Sequence, residues 1–217
     1  MTARGARIAI VSVCVGLALT GTFVALFRLP PLLPDSQLQD PRAMSQADLE
    51  ALLGRVARSL HPDLRAKLAE AVLSESERAG YDPLFILGLV SVESGFRTHV
   101  SSERGAYGLM QLRPSTFAWI AGREPDIGEG AAVSEDPVVD VRLAVRYFRW
   151  LERRFPRREE ALMAYNAGPT RMRHYKRVGV PRSVRAYPRK VMREYRRFSK
   201  MSGGGQDPRD VILARAD

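Results

Sequence analysis

Glu93 sits where a protein would place a general acid. It closes the run from Asp82 to Glu93, DPLFILGLVSVE, in which Leu84, Phe85, Ile86, Leu87, Leu89, Val90 and Val92 leave almost no polar face. Asp82 can cap such a helix, and Pro83 suits its first position, where the missing N–H would be unpaired anyway. A helix apolar on nearly every side is buried on most sides. Gly95 supplies a stop, which puts Glu93 in the last turn, facing unpaired carbonyls and the negative end of the dipole. Both that position and apolar burial disfavour ionisation, so the carboxyl would keep its proton near neutrality and could donate it. The same residues also fit a plainer reading, a glutamate marking the solvent-exposed end of a core helix.

Two further blocks carry polar groups at positions suited to a site. Gly105-Ala106-Tyr107-Gly108-Leu109-Met110-Gln111 has two glycines that permit a tight backbone path. Ala164-Tyr165-Asn166-Ala167-Gly168 puts an aromatic ring and an amide at a helix end. The elements that must hold these blocks are helical. Ser45 and Asp48 form a capping box ahead of Leu49, Leu52, Leu53, Val56 and Leu60. A helix opens at Pro62 and ends near Gly80, with Leu64, Leu68 and Val72 on one face. Pro114, Ser115 and Thr116 begin another through Phe117, Trp119 and Ile120, and Gly122 to Glu135 reads as a loop. Asp136-Pro137 repeats the cap-plus-proline device and starts a long helix to Phe155 with Val138, Val141, Val145, Phe148 and Leu151 as its stripe. Glu159 to Asn166 is shorter and stops at Gly168-Pro169, and a last basic helix spans Ser183 to Lys200. No alternating strand pattern interrupts them, so the predicted class is all-α.

Ahead of this domain, Ile8 to Phe27 is twenty residues without a charge, preceded by Arg4 and Arg7. That length spans a bilayer, and the basic flank orients the remainder outside the cytoplasm. An uncleaved transmembrane anchor is the favoured reading and a cleaved secretory signal the competing one. Lipidation at Cys14, the single cysteine, is disfavoured by the bulky Val13 before it. Pro30, Pro31, Pro34 and Pro41 make the following stretch a stiff stalk, and the tail from 201 reads as disordered. One cysteine and three scattered histidines offer no disulfide framework and no metal site, and no cofactor is expected. The net charge of +10 favours an anionic partner. Behind an export segment that partner is an envelope polymer or the membrane surface, with no nucleic acid expected. Any protein partner in the envelope is left unidentified.

In their order and spacing, Glu93-Ser94, the GxxGLMQ block and AYNAG resemble the soluble lytic transglycosylases with a lysozyme-like domain, over roughly Leu64 to Arg197. The resemblance implies a goose-type lysozyme-like helical domain behind the N-terminal helix. The implied boundaries are 1–28 for the signal-anchor, 29–61 for the stalk and an amphipathic helix, 62–200 for the catalytic domain and 201–217 for the tail. It also implies cleavage of the β-1,4 bond between N-acetylmuramic acid and N-acetylglucosamine in peptidoglycan, in the periplasm or at the inner membrane. Glu93 matches the single acid/base. Ser94, Ser102, Met110, Gln111, Tyr165, Asn166 and Tyr187 match positions near that carboxylate and the substrate. Departures from the family pattern are Asp140 where Asn is common, Arg113 where an apolar residue is frequent, and Ser183-Val184 in place of Glu-Thr ahead of Arg185 and Tyr187.

Ordinary glycosidases use two carboxylates. The candidates for a second one, Glu103, Glu124, Asp126, Glu129, Glu135 and Asp136, all fall in loops or caps. A one-carboxylate reaction suits the chain better, with a hydrolytic muramidase or a non-catalytic peptidoglycan-binding protein as the alternatives.

Overall fold

A computed structural model describes residues 44–127 and 135–203. The apolar run 8–27, the stalk up to residue 43, part of the 122–135 loop and the tail from 204 lie outside the described residues. The described residues belong to one compact unit. Its helices are α1 (Gln46–Val56), α2 (Pro62–Ala79), α3 (Pro83–Glu93), α4 (Pro114–Ala121), α5 (Pro137–Glu152), α6 (Arg158–Ala167), α7 (Pro169–Val178) and α8 (Arg182–Met201). Among the described residues there is no strand, only antiparallel bridges from Tyr107 to Ser101 and Leu112, and no helix long and apolar enough to cross a membrane.

The local rules account for most of the starts. Ser45 and Asp48 form the reciprocal capping box, while Asp82 and Asp136 each accept the N–H two residues on at 2.8 Å, just before a proline at the first helical position. Gly80 ends α2 in the left-handed conformation at φ 70°. α1, grouped from the sequence with the stalk, packs in the common core instead: Leu49, Leu52 and Leu53 are buried. Leu60, expected on the α1 stripe, is buried in the turn beyond it. The α5 helix stops at Glu152, and Phe155 is buried in the following turn.

One helix was not anticipated. Gly168-Pro169 reads as a stop, yet Pro169 also occupies the first position of α7. Only Met172 of α7 is buried, so no apolar stripe announces it.

α3 is the axis of the unit. Phe85, Ile86 and Leu89 are wholly buried, each contributing roughly 1.5–3 kcal/mol of gross hydrophobic stabilisation. α3 and α8 run antiparallel against each other. Asp82, at the start of α3, accepts a hydrogen bond from the Tyr195 hydroxyl at 2.9 Å, and Glu93, at its end, accepts one from Tyr187. Between them, a Cβ at Gly88 would lie 3.2 Å from the Val191 carbonyl oxygen and 3.3 Å from the Tyr195 nitrogen. The two backbones meet there because Gly88 has no side chain.

Candidate active site

Glu93 is the last residue of α3, with Ser94 as the cap behind it. Its carboxyl is half-buried and lines a cavity of about 430 Å³. Burial pushes its pKa up to about 7; the Tyr187 hydrogen bond pulls the other way, and the charge of Asp140 adds to the rise. Tyr187 donates to Oε1, which leaves Oε2 as the oxygen able to carry a transferable proton.

The chain after Glu93 folds into an irregular wall. Gly95 and Phe96 both take positive φ, 59° and 66°, and Phe96 is buried with its ring 6.2 Å from that of Phe198. Burial of that ring offsets the strain of a left-handed non-glycine residue. Gly108, at φ 82°, leaves no room for a side chain, since a Cβ would sit 2.5 Å from Asp140 Oδ2. That oxygen accepts the Met110 N–H at 2.9 Å. Gln111 follows at φ 50°, and its amide nitrogen donates to the Val100 and Gly108 carbonyls at 2.9 and 3.0 Å. The GLMQ turn is therefore held from within by Gln111 and from below by Asp140.

Of the residues singled out from the sequence, Glu93, Ser102, Gln111, Tyr165 and Asn166 line one cavity. Ser102 also closes the loop, its hydroxyl accepting the Ala106 N–H at 3.0 Å. Tyr165 donates to the Met110 carbonyl at 2.9 Å, which ties AYNAG to GLMQ. Tyr187 is buried beneath, on Glu93. The expectation changes for Ser94 and Met110. Both side chains are buried and neither lines the cavity; the Ser94 hydroxyl donates to the Val90 carbonyl of its own helix at 3.3 Å. They support the wall and offer nothing to a ligand.

Several residues were missed. Tyr147 lines the cavity, its ring stacked on Trp150 at 5.8 Å, and Arg104, Arg113 and Arg171 line it too. Asp140 is the larger omission. It was weighed only as a departure from a family pattern, and was absent from the carboxylates considered beside Glu93. It is buried, and that burial pushes its pKa up to about 7 against the pull of the Met110 and Leu109 N–H groups. The signal was its spacing: Asp140, Ala144, Tyr147 and Leu151 share one face of α5 and all are buried. Of the acids that were considered, Asp126 is held by Arg146 at 2.7 and 2.8 Å, and Glu124 by the same guanidinium at 2.7 Å. Among the described residues lining the cavity, Glu93 is the one carboxylate.

Known proteins resemble this chain in sequence and in fold. The chain is 34% identical over 98 residues to the endo-type membrane-bound lytic murein transglycosylase A of two Klebsiella pneumoniae strains, a match covering 42% of this chain and 48% of each relative. It thus spans about half the length of the curated relatives it matches. Its fold is similar to that of an inactive mutant of lytic transglycosylase Slt from Pseudomonas aeruginosa, with TM-score 0.58, 21% identity, and coverage of 77% of this chain and 32% of the other. The 70 kDa soluble lytic transglycosylase from Escherichia coli is equally similar, at TM-score 0.58 and 20% identity over 78% of this chain and 30% of that one. Residues 70–180, half of the sequence, match the family model described as the transglycosylase SLT domain. The Glu93 cavity, built from three blocks in the family's order on a shared helical fold, lies within a chain that belongs to the transglycosylase SLT domain family.

Proposed function

We propose that the protein is a peptidoglycan lytic transglycosylase in which Glu93 acts alone, first as acid and then as base. One observation carries this: a single carboxyl, raised to about 7, faces a cavity that no second carboxylate lines among the described residues. Protonated Glu93 donates from Oε2 to the glycosidic oxygen as the bond from muramic C1 breaks. The sugar's own 2-acetamido group supports the oxocarbenium-like centre. Glu93, now a carboxylate, takes the proton of the C6 hydroxyl as O6 closes on C1, and the acid is restored. No water is added, and a 1,6-anhydro end results. Asn166 and the free oxygen of the Gln111 amide are the polar groups available to orient N-acetyl sugars, with Tyr147 and Tyr165 as ring surfaces. Keeping the C6 hydroxyl in place of water is a matter of position and exclusion. The names of the Klebsiella relatives support the same chemistry in a membrane-bound, cell-envelope setting. The run 8–27 is the segment whose composition suits the anchor.

Mass spectrometry of fragments released from purified sacculi tests the reading. Anhydro-terminated products, lighter by one water than reducing-end products, are expected. Reducing ends would make the enzyme a muramidase, and binding without release would make it a non-catalytic module.

Tyr187 and Asp140 give a paired test. Catalysis needs protonated Glu93, so activity falls as pH rises through its pKa. Tyr187→Phe removes the hydrogen bond that favours the carboxylate, so the alkaline limb should move to higher pH while kcat/KM drops by about tenfold. Asp140→Asn removes the nearby negative charge and should move the same limb to lower pH. Shifts in one common direction would contradict the assignment.

A further inference from the structure

We propose that the outer face of α8 docks on an anionic lipid surface and holds the domain flat against the membrane. Every exposed side chain of α8 is an arginine or a lysine, Ser183 excepted. On a helical projection Arg182, Arg189, Arg196 and Lys200 fall within about 40° of one line, a row of about 27 Å at 1.5 Å per residue, with Arg193 beside it. None of these four has an ion-pair partner among the described residues; the acid on the helix, Glu194, engages Arg193, beside the row, and Arg197, at the edge.

The fold gains nothing from this arrangement. Cations in the first turn of a helix oppose its dipole, and no acid stands there to offset them. Arg189–Arg193 and Arg196–Lys200 place like charges four residues apart, which destabilises a helix. A face that merely needed hydration would mix signs.

Two further observations favour lipid over a polymer. Val178, at the end of α7 and next to the turn that leads into α8, is 65% exposed, the one large apolar side chain so exposed among the described residues. It follows Arg177 and precedes a basic helix, while Lys176 is paired with Glu160, and an apolar tip beside cations suits a headgroup boundary better than a hydrated polymer. The uncharged run ending at Phe27 lies seventeen residues before Met44, a reach of at most about 60 Å. A bilayer holding that run would lie within that reach of Met44. No α8 side chain lines the Glu93 cavity, and Tyr187 points the other way, into the protein. Docking therefore leaves the cavity open.

The test uses the full chain with Cys14→Ser and Val178→Cys, carrying an environment-sensitive fluorophore at 178, in nanodiscs of phosphatidylcholine with or without about 30 mol% phosphatidylglycerol. The label should report a membrane environment only in the anionic discs, and high salt should reverse it. Each near-surface cation strengthens attraction by about fivefold, so Arg182→Gln, Arg189→Gln, Arg196→Gln and Lys200→Gln together should weaken docking by more than about a hundredfold. Lysine at the three arginine positions should preserve docking, which separates loss of charge from loss of fold. An equal signal in both disc types would overturn the proposal. So would a label that ignores lipid charge but responds to peptidoglycan fragments or duplex DNA.

Discussion

Glu93→Gln is expected to lower the rate of sacculus solubilisation by about 10³-fold or more, because in the proposed reaction a single group supplies both proton transfers. The same substitution should make the protein more stable above neutrality. The Glu93 pKa is raised from 4.5 to about 7 in the folded protein. The native state therefore holds the proton more tightly than the unfolded chain does. The stability this confers is fully present below the ordinary value and is lost as pH rises through about 7, where a buried carboxylate must be carried. Glutamine removes that cost and can still accept the Tyr187 hydroxyl. At about pH 8 the gain should be on the order of 1–3 kcal/mol, or a few degrees in Tm, and near pH 4 it should vanish. Asp140 titrates with the same sign but is common to both proteins, so their difference isolates Glu93. Retained activity would end the assignment of the acid. A variant less stable than wild type above neutrality would end the account of its burial.

Arg146→Met should cost about 3–5 kcal/mol of stability. Arg146 is buried on α5 and reaches Glu75 at 3.0 and 3.1 Å, and without it Glu75, 2% exposed on α2, is a buried charge left only with the half-exposed Arg78 at 4.0 Å. Glu124 and Asp126, with side chains 29% and 51% exposed, can turn to water instead. The double variant Glu75→Leu with Arg146→Met should recover most of the loss, since a well-packed apolar pair often matches a buried ion pair. Thermal melts decide it. A double variant as unstable as the single would mean that packing around Arg146, and not the stranded carboxylate, sets the cost.

The helical framework was readable because its signals are local. Asp82-Pro83 and Asp136-Pro137 carry their own caps, and the apolar residues of α2 and α5 recur at helical spacing. The placing of the Glu93 carboxyl at the end of an apolar helix was readable for the same reason. What escaped depends on contacts distant in sequence. Asp140 is buried because the N–H of Met110, thirty residues upstream, comes to it. The Gln111 side chain turns to the carbonyls of its own loop because φ 50° aims it there. Tyr187 could be placed only by resemblance to a family, since no pattern within α8 says that its hydroxyl meets Glu93. α7 has one buried residue and begins at a proline that also marks an end. It lacks the apolar stripe by which the other helices declare themselves.

The missing side chain at Gly88 divides the protein into parts that can and cannot drift. The separation of α3 from α8 is set by two backbones touching, with no side chain between them to be exchanged for a bulkier or slimmer one. Even alanine there would force the two backbones to give by a few tenths of an ångström. Across the cavity, Arg104, Arg113 and Arg171 stand on loops and on α7, away from that contact. Substitutions at those three positions can change the cavity lining without disturbing the contact between the two helices. The arginine side of the cavity is therefore open to change, while the α3–α8 spacing behind Glu93 is set by the width of an absent methyl group.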